Sequence, residues 1–416
     1  MAFSSPSPNQ PASCGGPLAA ASLSLLCLAL LARTAHAEGN PYYLGASLGV
    51  TSDSNVRRAR DGQETSDTVT AGGLRAGVDQ SLGRSRLVVD LSADSKRYSR
   101  ADEYNHTAYN LLGRLDWETI ERISGTALVT ASQSLYRDTS RVETARNLLR
   151  SEGASLQARI GVVTQWSFEA GLAANRNRFS SASYHSSNLD QTSLSGGLRF
   201  APTPDLSTRL TLRRTDASYP QYSASGANDV TRDDIEVGTT LRASGASTLD
   251  AHLARTQESH SLALQRSRSS WTGGMGWTWQ ASGKSNIGLR ITRDSTVGAY
   301  GEAGLDYNDA SDARMRDAIT LRSQWQASSK IRLDAMLAYA RRTLDTALKV
   351  PGSSVTQTAR DTTTTASLGL NYEVLRNVEL GCGVSWENRS VSNELSTLTY
   401  PYSDTAINCY TQVFLR

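Results

Sequence analysis

Beyond residue 37 the sequence has no long apolar run, which removes both helical membrane spans and the buried helices expected of a soluble chain of 416 residues. Hydrophobic residues make up only 38% of it, and the mean hydropathy is −0.40. Cysteine is almost missing. Cys14 and Cys27 lie near the start, leaving Cys382 and Cys409, and neither belongs to a CxxC or a Cys/His cluster. Zinc and thioredoxin-like chemistry are thereby excluded. Charge of one sign is missing too, since a net charge of +3 is too balanced to indicate a nucleic-acid partner. Of the 43 basic residues only Lys96, Lys284, Lys330 and Lys349 are lysine. No glycine-rich phosphate loop, no HExxH and no repeated carboxylate spacing for calcium occurs, so no cofactor or metal is expected.

What is present begins with residues 1–37, which read as a cleaved signal peptide. The run from Pro17 to Leu31 is about fifteen residues, right for a signal h-region and short for a membrane span. Ala35-His36-Ala37 follows as an A-x-A cleavage site, although Met1 to Gly16 carries no Lys or Arg.

From Glu38 onward (38–416) one unit repeats: about ten alternating residues, then a connector, with short and long connectors taking turns. Leu74, Ala76 and Val78 share one face, and Arg75, Gly77 and Asp79 the other. Val378, Leu380, Cys382, Val384 and Trp386 likewise oppose Glu379, Gly381, Gly383, Ser385 and Glu387. A helix would space apolar residues by three and four, which these segments do not. Such weak, strict alternation suits a wall with lipid outside and water inside.

The expected fold is all-β: a transmembrane antiparallel up-and-down barrel of about eighteen strands, in an outer membrane and in contact with its lipid. Barrels of about sixteen to eighteen strands enclose an aqueous channel, and the Gly/Ser/Thr-rich polar face predicts an open lumen. Trp117, Trp166, Trp279, Trp325 and Tyr372, near strand ends, predict an interfacial girdle. Connectors such as Leu82–Ser85 and Ser244–Ser247 are expected as turns; Arg137–Arg150, Asp216–Arg232, Ser295–Arg314 and Asp345–Arg360 are among those expected as long loops. A large soluble sandwich or propeller is the bland alternative.

The mature N-terminus reads Asn40-Pro41-Tyr42-Tyr43-Leu44-Gly45-Ala46-Ser47, then Ser52-Asp53-Ser54-Asn55-Val56, Ser66-Asp67-Thr68 and Gly73-Leu74-Arg75-Ala76-Gly77-Val78-Asp79-Gln80. These segments resemble the β-barrel porin proteins of exopolysaccharide operons, the EpsL-type family. The Asp53-Ser54-Asn55-Val56 element, where the first strand meets its loop, carries most of the likeness. The end, Val413-Phe414-Leu415-Arg416, departs from the aromatic terminus usual in such barrels. The resemblance implies a channel role in exopolysaccharide synthesis and export, with exopolysaccharide and periplasmic export proteins as partners.

Ten arginines share the polar parity: Arg75, Arg114, Arg159, Arg199, Arg209, Arg213, Arg242, Arg290, Arg322 and Arg332. Guanidinium forks bind carboxylates and hydrogen-bond sugar hydroxyls, so a ladder of them can pass an acidic polysaccharide. Alternatively they pair with Asp79, Asp90, Asp116, Glu236, Asp250, Asp334 and Glu379 and stiffen the wall. Catalysis is not expected: His106, His185 and His260 fall in expected loops, and His252 reads as a pore-lining residue without an evident nucleophile. Cys382 and Cys409, both of lipid-facing parity, are either a disulfide closing the last hairpin or two unpaired small residues. Apart from an exopolysaccharide channel, a general diffusion porin and a non-conducting structural barrel remain open. A long loop folded into the lumen, with Arg137–Arg150 and Ser295–Arg314 as candidates, would distinguish the two channels.

Overall fold

The computed structural model describes residues 41–119, 123–137, 145–161, 165–295, 313–350, 353–392 and 399–415. The expected signal peptide, the greater part of the 295–314 connector and the middle of 137–150 lie outside the described residues.

The first nine strands are β1 (Tyr42–Asp53), β2 (Asp67–Leu82), β3 (Ser85–Tyr98), β4 (His106–Glu118), β5 (Ile123–Leu135), β6 (Leu148–Ile160), β7 (Trp166–Phe179), β8 (Leu189–Thr203) and β9 (Leu206–Ser223). The second nine are β10 (Gly226–Ser244), β11 (Ser247–His260), β12 (Arg268–Ser282), β13 (Ser285–Asp294), β14 (Ala313–Gln326), β15 (Ile331–Val350), β16 (Ser353–Leu375), β17 (Val378–Val391) and β18 (Tyr402–Leu415). Each pairs antiparallel with its neighbours in sequence, and β1 pairs with β18 from Leu44↔Leu415 to Asp53↔Ala406. The sheet is thereby a closed barrel of 18 strands with no free edge.

Alternation decides which residues face lipid. Leu74, Phe168 and Leu194 are 65%, 67% and 64% exposed, and their cross-strand partners continue an apolar band around the outside. The aromatic residues expected at strand ends all lie on this outer face, toward the short turns. Trp277 stacks on Trp279 at 5.7 Å, and Trp166 lies 4.4 Å from Phe200. An apolar band with an aromatic girdle on a closed barrel defines an outer-membrane β-barrel.

Turn chemistry follows the alternation. The connectors after even-numbered strands are short, and Gly83 adopts φ 62° in the Gly83-Arg84 turn, which favours a residue without Cβ. Gly77 and Gly381 lie beneath the rings of Tyr43 and Tyr410, where an added Cβ would approach to 2.3 and 2.4 Å. Aromatic rings laid over strand glycines help to fix register.

Two expected loops are corrected. Asp216–Arg232 and Asp345–Arg360 are the upper parts of tall hairpins, β9–β10 and β15–β16, the first closed by the two-residue turn Ala224-Ser225. Past the apolar band the outward residues of β9–β10 turn polar (Asp216, Ser218, Asp229, Thr231) while the inward ones mix buried Ala217 and Val230 with Thr215 and Asn228, so the contrast that marks a strand disappears while backbone pairing continues. For the same reason His106 opens β4 and His260 closes β11 rather than lying in loops. His185 lies in a short 3-10 turn, Ala182–Ser187.

Candidate functional site

The lumen divides by height. Toward the short turns it is open and polar, with recesses of about 630, 570 and 430 Å³. All ten arginines singled out in the sequence have lumen parity, and most lie in this half. At least seven of them have carboxylate partners. Arg114 meets Asp116 at 2.8 Å, Arg159 meets Glu169 at 2.7 Å, and Arg75 meets Asp94 at 3.4 Å. Glu236 is shared by Arg209 at 3.4 Å and Arg213 at 3.6 Å, and Arg242 reaches Asp205 at 3.9 Å. Arg332 bridges Asp334 at 3.1 Å and Glu379 at 3.8 Å.

Of the carboxylates expected to pair with these arginines, Asp79 instead takes Arg86 at 2.6 Å, and Asp90 accepts from the Tyr43 hydroxyl at 2.7 Å. Arg199 has no carboxylate partner among the described residues. Its cross-strand neighbour is Arg209, so two guanidiniums stand side by side near the short-turn rim.

The β12–β16 wall adds amides to its own arginines, Arg290, Arg322 and Arg332. Thr278, Gln280, Asn286, Gln324, Gln326 and Asn371 line adjoining recesses on β12–β16. Asn371 donates to Asp334 at 2.7 Å and accepts from Tyr410 at 2.6 Å. Amides offer donors and acceptors in one plane and suit hydroxylated solutes. Sequence reasoning missed this wall; reading Asn and Gln, as well as Arg, along the polar parity would have shown it.

Toward the long loops the lumen is packed rather than open as expected. Arg342 and Asp361, cross-strand partners 2.5 Å apart, are 2% and 0% exposed, and Thr399 donates to Asp361 at 2.8 Å. Arg232 donates to Asp234 and Asp294, each at 3.0 Å, and to Ser295 at 2.9 Å. Ser295 in turn donates to Glu258 at 3.0 Å, and His260 lies 2.9 Å from the same carboxylate. Glu258 therefore separates the hydroxyl from the imidazole, an order unsuited to nucleophile–base catalysis. His252, on the lumen face of β11, hydrogen-bonds no described residue.

The Asp53-Ser54-Asn55-Val56 element holds the closing seam at this rim. Asn55 accepts from Ala59 N at 2.8 Å and donates to Ser403 O at 2.9 Å, while Ser54 N donates to Thr405 O at 3.0 Å. Val56 is wholly buried against Val69, Tyr98, Ala101 and Tyr104. Arg58, at φ 53°, reaches Asp404 at 2.9 Å and Asp53 at 3.2 Å. Burial alone would lower its pKa, but Asp53, Asp404 and Glu387 outweigh that and hold it raised. Cys382 and Cys409 are cross-strand partners joined as a disulfide, with Cα atoms 4.1 Å apart on the lipid face.

No protein-family model matches the sequence, and no curated protein matches it. Among solved structures, the chain is similar to the outer membrane protein opdK of Pseudomonas aeruginosa, with 13% identity, TM-score 0.45, and 90% of this chain and 99% of that one covered. It is also similar to OccAB3 of Acinetobacter baumannii, with 8% identity, TM-score 0.45 and coverages of 90% and 98%. For the siderophore receptor PirA of Acinetobacter baumannii the values are 7% identity, TM-score 0.42 and coverages of 91% and 81%.

Proposed function

We propose that this barrel is an outer-membrane channel for small, hydroxylated, negatively charged solutes. The observation that carries it is the division of the lumen: an open half with arginines from β2 round to β15 and an amide-rich stretch among them on β12–β16, beneath a half narrowed by inward-packed residues. The described ends of both candidate constriction loops are buried, Asn147 at 0% and Ser295 at 4% exposure. Paired arginines give weak, multiple sites from which a solute can leave, as conduction requires. Conductance of the refolded barrel in planar bilayers tests the proposal. Small, anion-preferring steps that sugar acids reduce and uncharged sugars of equal size do not would support it. Absence of conductance from a folded barrel would leave a structural role.

A second reading, export of exopolysaccharide, follows from the EpsL-type resemblance and is favoured by the amide wall, which suits a run of sugar hydroxyls. It requires the packed outer half to open. Block by the polymer of the same operon, but not by neutral dextran, would select it, and the ten lumen arginines would then be polysaccharide contacts. Either channel reaches its membrane through the periplasm, and we propose residues 1–37 as the signal peptide that sends it there. N-terminal sequencing of the mature protein should then begin at Glu38.

A further inference from the structure

On the outer wall of β11–β15 the apolar band ends in an unusual row. Leu253, Met275, Ile291, Ile319 and Tyr339 face lipid, each at least 39% exposed. One outward position higher, toward the long loops, stand Arg255, Gly273, Arg293, Asp317 and Arg341, with Trp271 one outward position above Gly273. The register makes them neighbours: Arg255↔Trp271, Arg293↔Asp317 and Asp317↔Arg341 are direct cross-strand pairs, and Gly273, next outward to Trp271, faces Arg293. Arg255 lies over the Trp271 ring at 5.5 Å, and Arg293 takes Asp317 at 3.3 Å. Neither Arg255 nor Arg341 has a carboxylate partner among the described residues. Three guanidiniums thus face one carboxylate.

The outer wall of β6–β10 is different. There Arg150 pairs with Glu152, Arg176 and Arg178 share Asp190, and Arg214 lies near Asp216 and Asp233. Four arginines meet four carboxylates, so that stretch is self-neutralised. The β11–β15 row carries an uncompensated positive charge at the height where hydrocarbon gives way to headgroups, and Trp271 is the residue type that settles at that boundary.

We propose that Arg255, Arg293 and Arg341 form an external binding site for the phosphates of an anionic glycolipid in the outer leaflet. The guanidinium fork matches phosphate bidentately, and the apolar band directly below receives the acyl chains. The site is on the outside of the wall and is independent of what the lumen conducts.

Native mass spectrometry of the full barrel refolded in neutral detergent, titrated with bisphosphorylated lipid A, tests this. A fivefold loss per arginine removed makes R255Q/R293Q/R341Q bind about a hundredfold more weakly than the parent. The parent should show a similar loss when the lipid A is dephosphorylated, a comparison that needs no variant to fold. The variant R176Q/R214Q, in the self-neutralised stretch, should bind as the parent does. Equal binding by the triple variant, or by the dephosphorylated lipid, overturns the proposal, as does an equal loss in R176Q/R214Q. Heat-dependent gel mobility verifies folding, and unchanged conductance of the triple variant separates the result from the lumen's function.

Discussion

The two halves of the lumen solve the same problem in different ways. Near the short turns, arginines and carboxylates pair while remaining wetted, as with Arg114 and Asp116 at 53% and 36% side-chain exposure. Near the long loops, Arg342 and Asp361 are paired with almost no water contact. Solvent-exposed pairs contribute about 0–1 kcal/mol, whereas breaking a buried one costs about 3–5 kcal/mol because the remaining charge is stranded. A wall whose pairs are weak can exchange protein partners for solute. One whose pairs are buried is committed to its own structure.

The comparison breaks most visibly at the buried pair. Asp361→Ala should lower stability by about 3–5 kcal/mol, read as the guanidinium unfolding midpoint of the refolded barrel. A shift below about 1 kcal/mol would show that this half is hydrated. Next comes the bond between β17 and β18. Replacing Cys382 and Cys409 together with serine should lower stability by about 3 kcal/mol, because the bond closes a loop with a sequence separation of 27 residues. Arg159→Gln, which frees the partly exposed Glu169, should change stability by less than about 1 kcal/mol. Arg199→Gln should alter it by no more than about 0.5 kcal/mol, yet lower the anion-over-cation preference measured by reversal potential in a salt gradient. If stability fell and selectivity held, the open half would be structural.

Sequence alone carried the wall much further than its contents. A period of two assigns inside and outside wherever lipid and water lie on opposite faces, so the strand number and the outward Trp and Tyr girdle follow from local pattern. The pattern fails where the outward face turns polar and the inward face mixes polar with buried apolar residues such as Val230 and Leu344, which is why the β9–β10 and β15–β16 hairpins read as loops. It also cannot show pairings across long sequence distances. Ser54 and Asp404, 350 positions apart, meet only because the barrel closes. The amide wall escaped for another reason: Gln324 and Asn371 are unremarkable singly, and only neighbouring strands make them one surface.

The Cys382–Cys409 bond is on the face that hydrocarbon covers once the barrel is in place. Thiols are oxidised as thiolates, in water, so the bond belongs to the time before insertion, when the final hairpin was still in an aqueous compartment. Lipid then seals it from polar reductants. The bond therefore acts as a timestamp: its oxidation state in the finished barrel records whether β17 and β18 had already found one another before the membrane closed over them.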